Sequence, residues 1–343
     1  MFHVPRTAGN HPRLFLGLIG TVVLIGGAGL AAVLTSQPQP TASSRLAPLP
    51  ARPPVEVVEA LPQLTARLQR EADAGRFMGA VLVARGDEIL FRQAYGTADV
   101  ATGAPLRVGS RFRLASISKQ FTAAAILKLQ DEGRLTIGDP VCQWIQPCPA
   151  AWAPLKIHHL ISHTSGIPDL MARPGWGNRR TTPATLDQLT EDSRLFRLSF
   201  EPGTKVRYNN AGFNLAAAIV EKASGQRFAD YLRTAFFEPL GMTDTGFDDD
   251  TDLGIVTGHA TFPEGLTAQR NPNVSIVAGA GALYSTLDDQ LVWEQALHGG
   301  HVLSPYSYAQ MIMDHSPADQ PNERDGRPHR AWGYGLMANR LGT

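Results

Sequence analysis

Phe112-Arg113-Leu114-Ala115-Ser116-Ile117-Ser118-Lys119-Gln120-Phe121-Thr122-Ala123-Ala124-Ala125-Ile126-Leu127-Lys128-Leu129-Gln130-Asp131-Glu132-Gly133 is the stretch on which the reading turns. From Ser116 to Glu132 it is rich in alanine and leucine, and Gly133 supplies a stop, so a helix is expected there. Apolar residues lie on nearly every face of that helix, which predicts that it is buried. Ser116 and Lys119 stand at i and i+3, a spacing that puts a hydroxyl and an amine on the same face, whereas Ser118 points elsewhere. A serine hydroxyl needs a base before it becomes a good nucleophile. A lysine amine one turn away can serve if burial depresses its pKa.

A Ser-x-x-Lys pattern is short enough to recur by chance, and the bland alternative is a capping serine near a solvated lysine. This helix, however, leaves Lys119 no obvious solvent face. Downstream, Tyr208-Asn209-Asn210 is the only place in the chain where tyrosine is followed two residues later by asparagine. A phenol can pass protons on, and an amide can orient a substrate.

With these residues the chain resembles the serine β-lactamase and penicillin-binding family, in particular its class C β-lactamase-like branch, which also holds D-Ala-D-Ala carboxypeptidases and esterases. The resemblance runs from about residue 60 to the end. It includes Phe112 to Lys119, Leu160-Ile161-Ser162-His163-Thr164-Ser165-Gly166-Ile167-Pro168, Pro202-Gly203 ahead of Tyr208-Asn209-Asn210, Pro239-Leu240-Gly241-Met242 and Trp332-Gly333-Tyr334-Gly335. It implies an α/β (α+β) fold, in which an antiparallel sheet is flanked by helices beside a mostly helical subdomain. It also implies an acyl-enzyme on Ser116, with Lys119 and Tyr208 sharing the proton transfers and Asn210 contacting the substrate amide. The oxyanion would rest on the Ser116 N–H and a second N–H from a strand. The substrates implied are D-amino-acid peptides of peptidoglycan type, β-lactams or small esters, with no cofactor.

Relatives carry a third motif, Lys or His, then any residue, then Gly, well after the Trp-Gly-Tyr-Gly region. Here the chain ends at Thr343. His298-Gly299-Gly300 matches literally but reads as a helix stop. The expectation is therefore that the last strands of the fold are missing, and the alternative function is a non-catalytic, membrane-tethered penicillin-binding-like protein or an inactive fragment.

Bulk properties suit a large globular body. The chain has 343 residues, 43% hydrophobic and 18% charged, which suits a globular protein with a large core. Its 31 basic and 31 acidic residues balance, which gives no electrostatic reason to expect nucleic acid as partner. Residues 14–34 carry no charge and are long enough to span a membrane. Arg6 and Arg13 precede them, which puts residues 1–13 in the cytoplasm and the body outside. An uncleaved anchor is the reading, a cleaved signal segment the alternative. Residues 36–56, with six prolines, form a linker, and residues 57–343 the hydrolase domain.

Export places the only two cysteines, Cys142 and Cys148, where disulfides persist, and a local bridge is expected. No metal is expected. His159 and His163 could flank an ion only at helical spacing, and a structural role is the reading preferred. His-Glu-x-x-His and Gly-x-Ser-x-Gly are both absent, which removes the main signatures of zinc peptidases and α/β-hydrolases. Elsewhere a helix is expected from Pro62 to Gly75 and a hairpin from Met78–Ala84 and Ile89–Tyr95. Further helices are expected at 211–224, at 228–237 ended by Pro239, and at 287–297 with Thr286 and Asp289 as a capping box.

Overall fold

The structure, a computed structural model, describes residues 55–343 except 173–174, 180, 249–252, 263–264, 269–272, 318–330 and 338–343. The membrane-length segment 14–34 and nearly all of the linker lie outside the described residues. Among the described residues no helix is long and apolar enough to cross a membrane.

Helix α1 (Val55–Asp73) opens the described chain, and Gly75, at φ +67°, turns it away. Pro62 lies inside this helix rather than in its first turn as expected. Its fixed φ is compatible with a helix, so the local cost is one missing N–H and a crowded carbonyl one turn back, and the helix runs through it. Strands β1 (Gly79–Arg85) and β2 (Glu88–Tyr95) form the expected antiparallel hairpin. Its two-residue turn uses Gly86 at φ +58°.

A short strand β3 (Phe112–Arg113) leads into a 3₁₀ turn (Ala115–Ile117) and then α2 (Ser118–Asp131), which Gly133 ends at φ +69°. As its composition predicts, α2 is buried on all sides: Phe121, Ala123, Ala124, Ala125, Ile126, Leu127 and Leu129 are inaccessible to solvent. Phe121 stacks on Trp293 at 4.0 Å between ring centroids and meets Phe237 edge-on at 5.7 Å. Helices α3 (Ile157–Ile161) and α4 (Leu186–Arg194) follow, and then α5 (Ala211–Ser224), a second buried helix that packs on α2 and ends at Gly225 in the left-handed region.

After α6 (Phe228–Leu232) the chain does not stop at Pro239, as the sequence suggested. It passes through a π-turn (Arg233–Phe237) and a further helical turn (Glu238–Leu240), and Gly241, at φ +71°, ends it. The wider turn gives the proline ring room beside the carbonyls that precede it. Strands β4 (Gly246–Phe247) and β5 (Leu283–Ser285) join β3 in an antiparallel sheet with β5 in the centre. Between β4 and β5 lies the one-turn helix α7 (Ala278–Gly281).

Helix α8 (Leu287–His298) begins at the expected Thr286 cap, whose Oγ1 accepts from the Asp289 N–H at 3.3 Å. Only that half of the capping box forms. The Asp289 carboxylate accepts instead from the Asp244 N–H and Thr245 Oγ1. Gly299 caps α8, and His298 bonds to Glu294 and Tyr308 on the surface, so His298-Gly299-Gly300 is a helix stop, as its context suggested. Helix α9 (Pro305–Ile312) packs back on α2. The architecture is a mixed helix and sheet fold, in which α2 and α5 form the centre of the core and β3–β5 border the start of α2.

Cys142 and Cys148 form a disulfide with Cα atoms 5.3 Å apart. His159 and His163 do not share a helix face, because α3 stops at Ile161 and His163 sits at φ +63°. Among the described residues no cluster could hold a metal ion.

Candidate active site

Ser116 is exposed and sits in the turn just before α2, where the helix dipole favours negative charge. The turn is held from both sides by β5. Leu283 O accepts from the Leu114 N–H at 2.8 Å, and the Leu283 N–H donates to Ser118 Oγ at 3.2 Å. That is why Ser118, two residues from Ser116, plays no part at the surface. Ala115, directly before the nucleophile candidate, lies at φ +46°. Among the described residues only Ala115 and His163 are non-glycine residues at positive φ, and both border this site, where local strain is typically held by surrounding structure.

Lys119 is 2% exposed. Its Nζ lies 2.9 Å from Asn210 Oδ1, 2.8 Å from the carbonyl oxygen of Ala280 and 3.3 Å from Ser116 Oγ. Burial pushes its pKa down to about 7, with the Asp169 carboxylate acting in the opposite direction. The geometry then assigns the amine's valences. A neutral amine has two N–H bonds and one lone pair. Asn210 Oδ1 and Ala280 O are acceptors only, so they take both N–H bonds and leave the lone pair for the Ser116 hydroxyl.

Tyr208 OH also hydrogen-bonds to Ser116 Oγ. Burial raises the Tyr208 pKa, the Ser116 bond opposes this, and Asp169 adds to the rise. The phenol is therefore protonated at neutral pH and donates to Ser116 Oγ. One partner is shifted toward being a base and the other toward staying an acid, and both contact the same hydroxyl.

Asn210 is 5% exposed, and both ends of its amide are engaged: Oδ1 on Lys119, and Nδ2 donating to the Asp169 carboxylate at 3.2 and 3.3 Å. In this geometry it orients the lysine.

Two glycines make the cluster possible. A Cβ on Gly279 would lie 2.8 Å from both the Phe213 carbonyl carbon and Ala217 Cβ, and closer still to the Phe213 oxygen. Its absence lets α7 rest on α5 and deliver the Ala280 carbonyl to Lys119. A Cβ on Gly335, at φ +70°, would lie 2.8 Å from the Lys119 carbonyl carbon and closer still to its oxygen. The Gly335 N–H donates to Ile161 O at 3.1 Å, tying the Trp332–Gly335 turn between α3 and α2.

Sequence reasoning brought together Ser116, Lys119, Tyr208 and Asn210, and the fold places all four in one hydrogen-bonded group. It missed Asp169, the Ala280 carbonyl and the placement of His163. Asp169 directly follows the quoted stretch ending in Pro168. A backbone carbonyl leaves no mark in a sequence. His163 Nδ1 accepts from the Asn209 N–H at 3.1 Å, its ring lies 4.6 Å from that of Tyr208, and burial drives its pKa down to about 3.

Over most of its length the chain is similar to known proteins. The model of the Beta-lactamase family matches residues 63–343. The chain is 31% identical over 316 residues to Esterase EstB of Burkholderia gladioli, covering 80% of this chain and 79% of that protein. It is 39% identical over 175 residues to a penicillin-binding protein of Bacillus subtilis (strain 168), although that match spans only 38% of the relative's length. Among solved structures, a penicillin binding protein from Bacillus halodurans superposes with a TM-score of 0.67 at 27% identity, covering 79% of this chain and 82% of the other.

Proposed function

This chain belongs to the Beta-lactamase family of serine hydrolases, and we propose that it hydrolyses small esters through an acyl-enzyme on Ser116, with β-lactams and D-amino-acid peptides as alternative acyl donors. The observation that carries the reading is the buried Lys119 amine, whose two N–H bonds are taken by Asn210 and Ala280 so that its lone pair faces Ser116 Oγ. Esters come first because the match to Esterase EstB extends over most of both chains.

In the first half of the reaction the Ser116 proton passes to Lys119 Nζ as Oγ bonds to the substrate carbonyl carbon. The carbonyl oxygen becomes an oxyanion, placed at the start of α2 within reach of the Ser116 N–H. As the tetrahedral species collapses, the bond to the leaving group breaks, and the alkoxide or amine takes a proton delivered from Lys119 through Tyr208. Water then attacks the ester on Ser116 Oγ, releases the acid and returns the proton to the serine. Asn210 enters this scheme as the residue that orients Lys119.

The test is labelling with p-nitrophenyl acetate and, separately, with a penicillin, followed by mass spectrometry of the peptides. An adduct on the Ser116 peptide that is absent in Ser116→Ala is expected, with turnover of the ester. Equal labelling in Ser116→Ala, or an adduct on Ser118, refutes the assignment.

We further propose that residues 14–34 hold the protein in a membrane with residues 57–343 outside the cytoplasm, the linker serving as spacer. The charge-free segment preceded by Arg6 and Arg13 supports this, as does a disulfide within the body. Protease added to intact spheroplasts should remove the body, and survival until lysis overturns the topology.

A further inference from the structure

We propose that Asp169 is the positioning residue that sets the protonation balance between Lys119 and Tyr208, acting through Asn210 and through its charge. The inference deepens the reading of Lys119 as the base and rests on it.

The geometry comes first. Asp169 Oδ1 accepts from the Asn210 backbone N–H at 3.0 Å and from Asn210 Nδ2 at 3.2 Å, and Oδ2 lies 3.3 Å from the same Nδ2. One carboxylate thus fixes both the main chain and the side chain of Asn210. An amide whose Nδ2 is held in this way must turn its Oδ1 to the opposite side, and there Oδ1 accepts from Lys119 Nζ at 2.9 Å. The path Asp169–Asn210–Lys119–Ser116 is continuous, and every step is within hydrogen-bonding distance. The loop carrying Asp169 is itself fastened to the Tyr208–Asn210 segment. Asn209 Nδ2 donates to Ile167 O, and His163 binds the segment on both sides of Tyr208, through the Arg207 N–H to His163 O and the Asn209 N–H to His163 Nδ1.

Charge is the second line. Lys119 Nζ is faced by Ser116 Oγ from the turn before α2, by Asn210 Oδ1 and the Tyr208 ring at 4.7 Å from the segment before α5, by the Phe213 ring at 5.5 Å from α5, and by Ala280 O from α7. Behind Tyr208 lies His163, which burial keeps neutral. Among these neighbours Asp169 brings the negative charge. It favours the ammonium form of Lys119 and the neutral form of Tyr208, opposing the burial of the first and reinforcing that of the second. Without it both groups would lose their protons at lower pH.

The consequence is a two-sided signature. Acylation requires neutral Lys119 and protonated Tyr208, so its rate rises with pH through the lysine titration and falls through the tyrosine titration. Asp169→Asn keeps an acceptor for the Asn210 N–H but removes the charge. Both limbs of the kcat/KM profile for p-nitrophenyl acetate should then move to lower pH, by about one unit. Asp169→Glu keeps the charge on a longer arm, so its limbs should stay where the wild type has them while the plateau drops. A purely structural residue would lower the plateau and move neither limb.

The experiment measures full pH profiles of wild type, Asp169→Asn and Asp169→Glu, each shown by a cooperative melt to be folded. Lys119→Ala serves as the control. If Asp169→Asn does not fold, Asp169→Ser is read in the same way. Limbs of the neutral variant that superimpose on those of the wild type overturn the inference while Lys119→Ala remains inactive. Full activity of Lys119→Ala instead overturns the underlying reading of the base, and the two failures are distinct.

Discussion

Replacing Gly335 by alanine tests whether the Trp332–Gly335 turn supports the catalytic lysine from behind. Gly335 lies at φ +70°, where an alanine costs about 1–2 kcal/mol. Its Cβ would press on the Lys119 carbonyl group from less than 3 Å and meet Ala123 Cβ at 3.0 Å, in a part of α2 with no free volume. Overpacking of this kind costs about 1–3 kcal/mol. The sum is about 2–5 kcal/mol. At roughly 2 °C per kcal/mol for a domain of this size, the melting temperature should fall by about 4–10 °C. Gly133→Ala is the matched control. It lies at φ +69° just past the same helix, but a Cβ there meets nothing within 4 Å, so only the conformational cost of about 1–2 kcal/mol applies. The clash displaces the Lys119 backbone, so ester turnover per folded molecule should fall in Gly335→Ala and hold in Gly133→Ala. Paired melts and initial rates check both statements. If the two variants are destabilised equally and turn over equally, the close approach of Gly335 does not position Lys119 and the reasoning fails.

Lys119→Ala and Tyr208→Phe should each slow acylation of Ser116 by about 10² or more, measured by quenched labelling. Ser118→Ala should keep its adduct while losing about 1–2 kcal/mol through the orphaned Leu283 N–H. Stability should decline as pH drops from 6.5 towards 3, because burial lowers His158 and His159 to about 4 and His163 to about 3. Over that window the unfolded chain takes up protons that the folded one refuses, and melts at stepped pH read the slope. A Cys142→Ser/Cys148→Ser variant should lose about 2 kcal/mol, as expected for a small loop, and non-reducing peptide mapping of the parent should recover the linked pair.

The sequence alone was informative wherever the deciding interactions are local. The i, i+3 spacing brings Ser116 and Lys119 together, although Ser116 lies in the 3₁₀ turn ahead of α2 and not in the helix expected from it. Composition tells that α2 is buried, and the glycines at 133 and 225 end their helices, because each rests on neighbours within a turn or two. The β1–β2 hairpin and the Cys142–Cys148 bridge, six residues apart, were legible for the same reason. Local rules also misled where packing overrode them. Local rules make proline a helix boundary at 62 and 239, yet the chain passes through both. What the tertiary structure decided is the electrostatic identity of the site. Tyr208 reaches Ser116 across 92 positions, Ala280 reaches Lys119 across 161, and Asp169 is 41 residues from the asparagine it holds. No pattern along the chain encodes those separations. A carbonyl oxygen has no residue signature, and an aspartate is a common residue until folding sets it beside a buried amide. The Lys119 pKa near 7 is therefore a property of burial by α2, α5 and α7 together, which exists only once all three have packed.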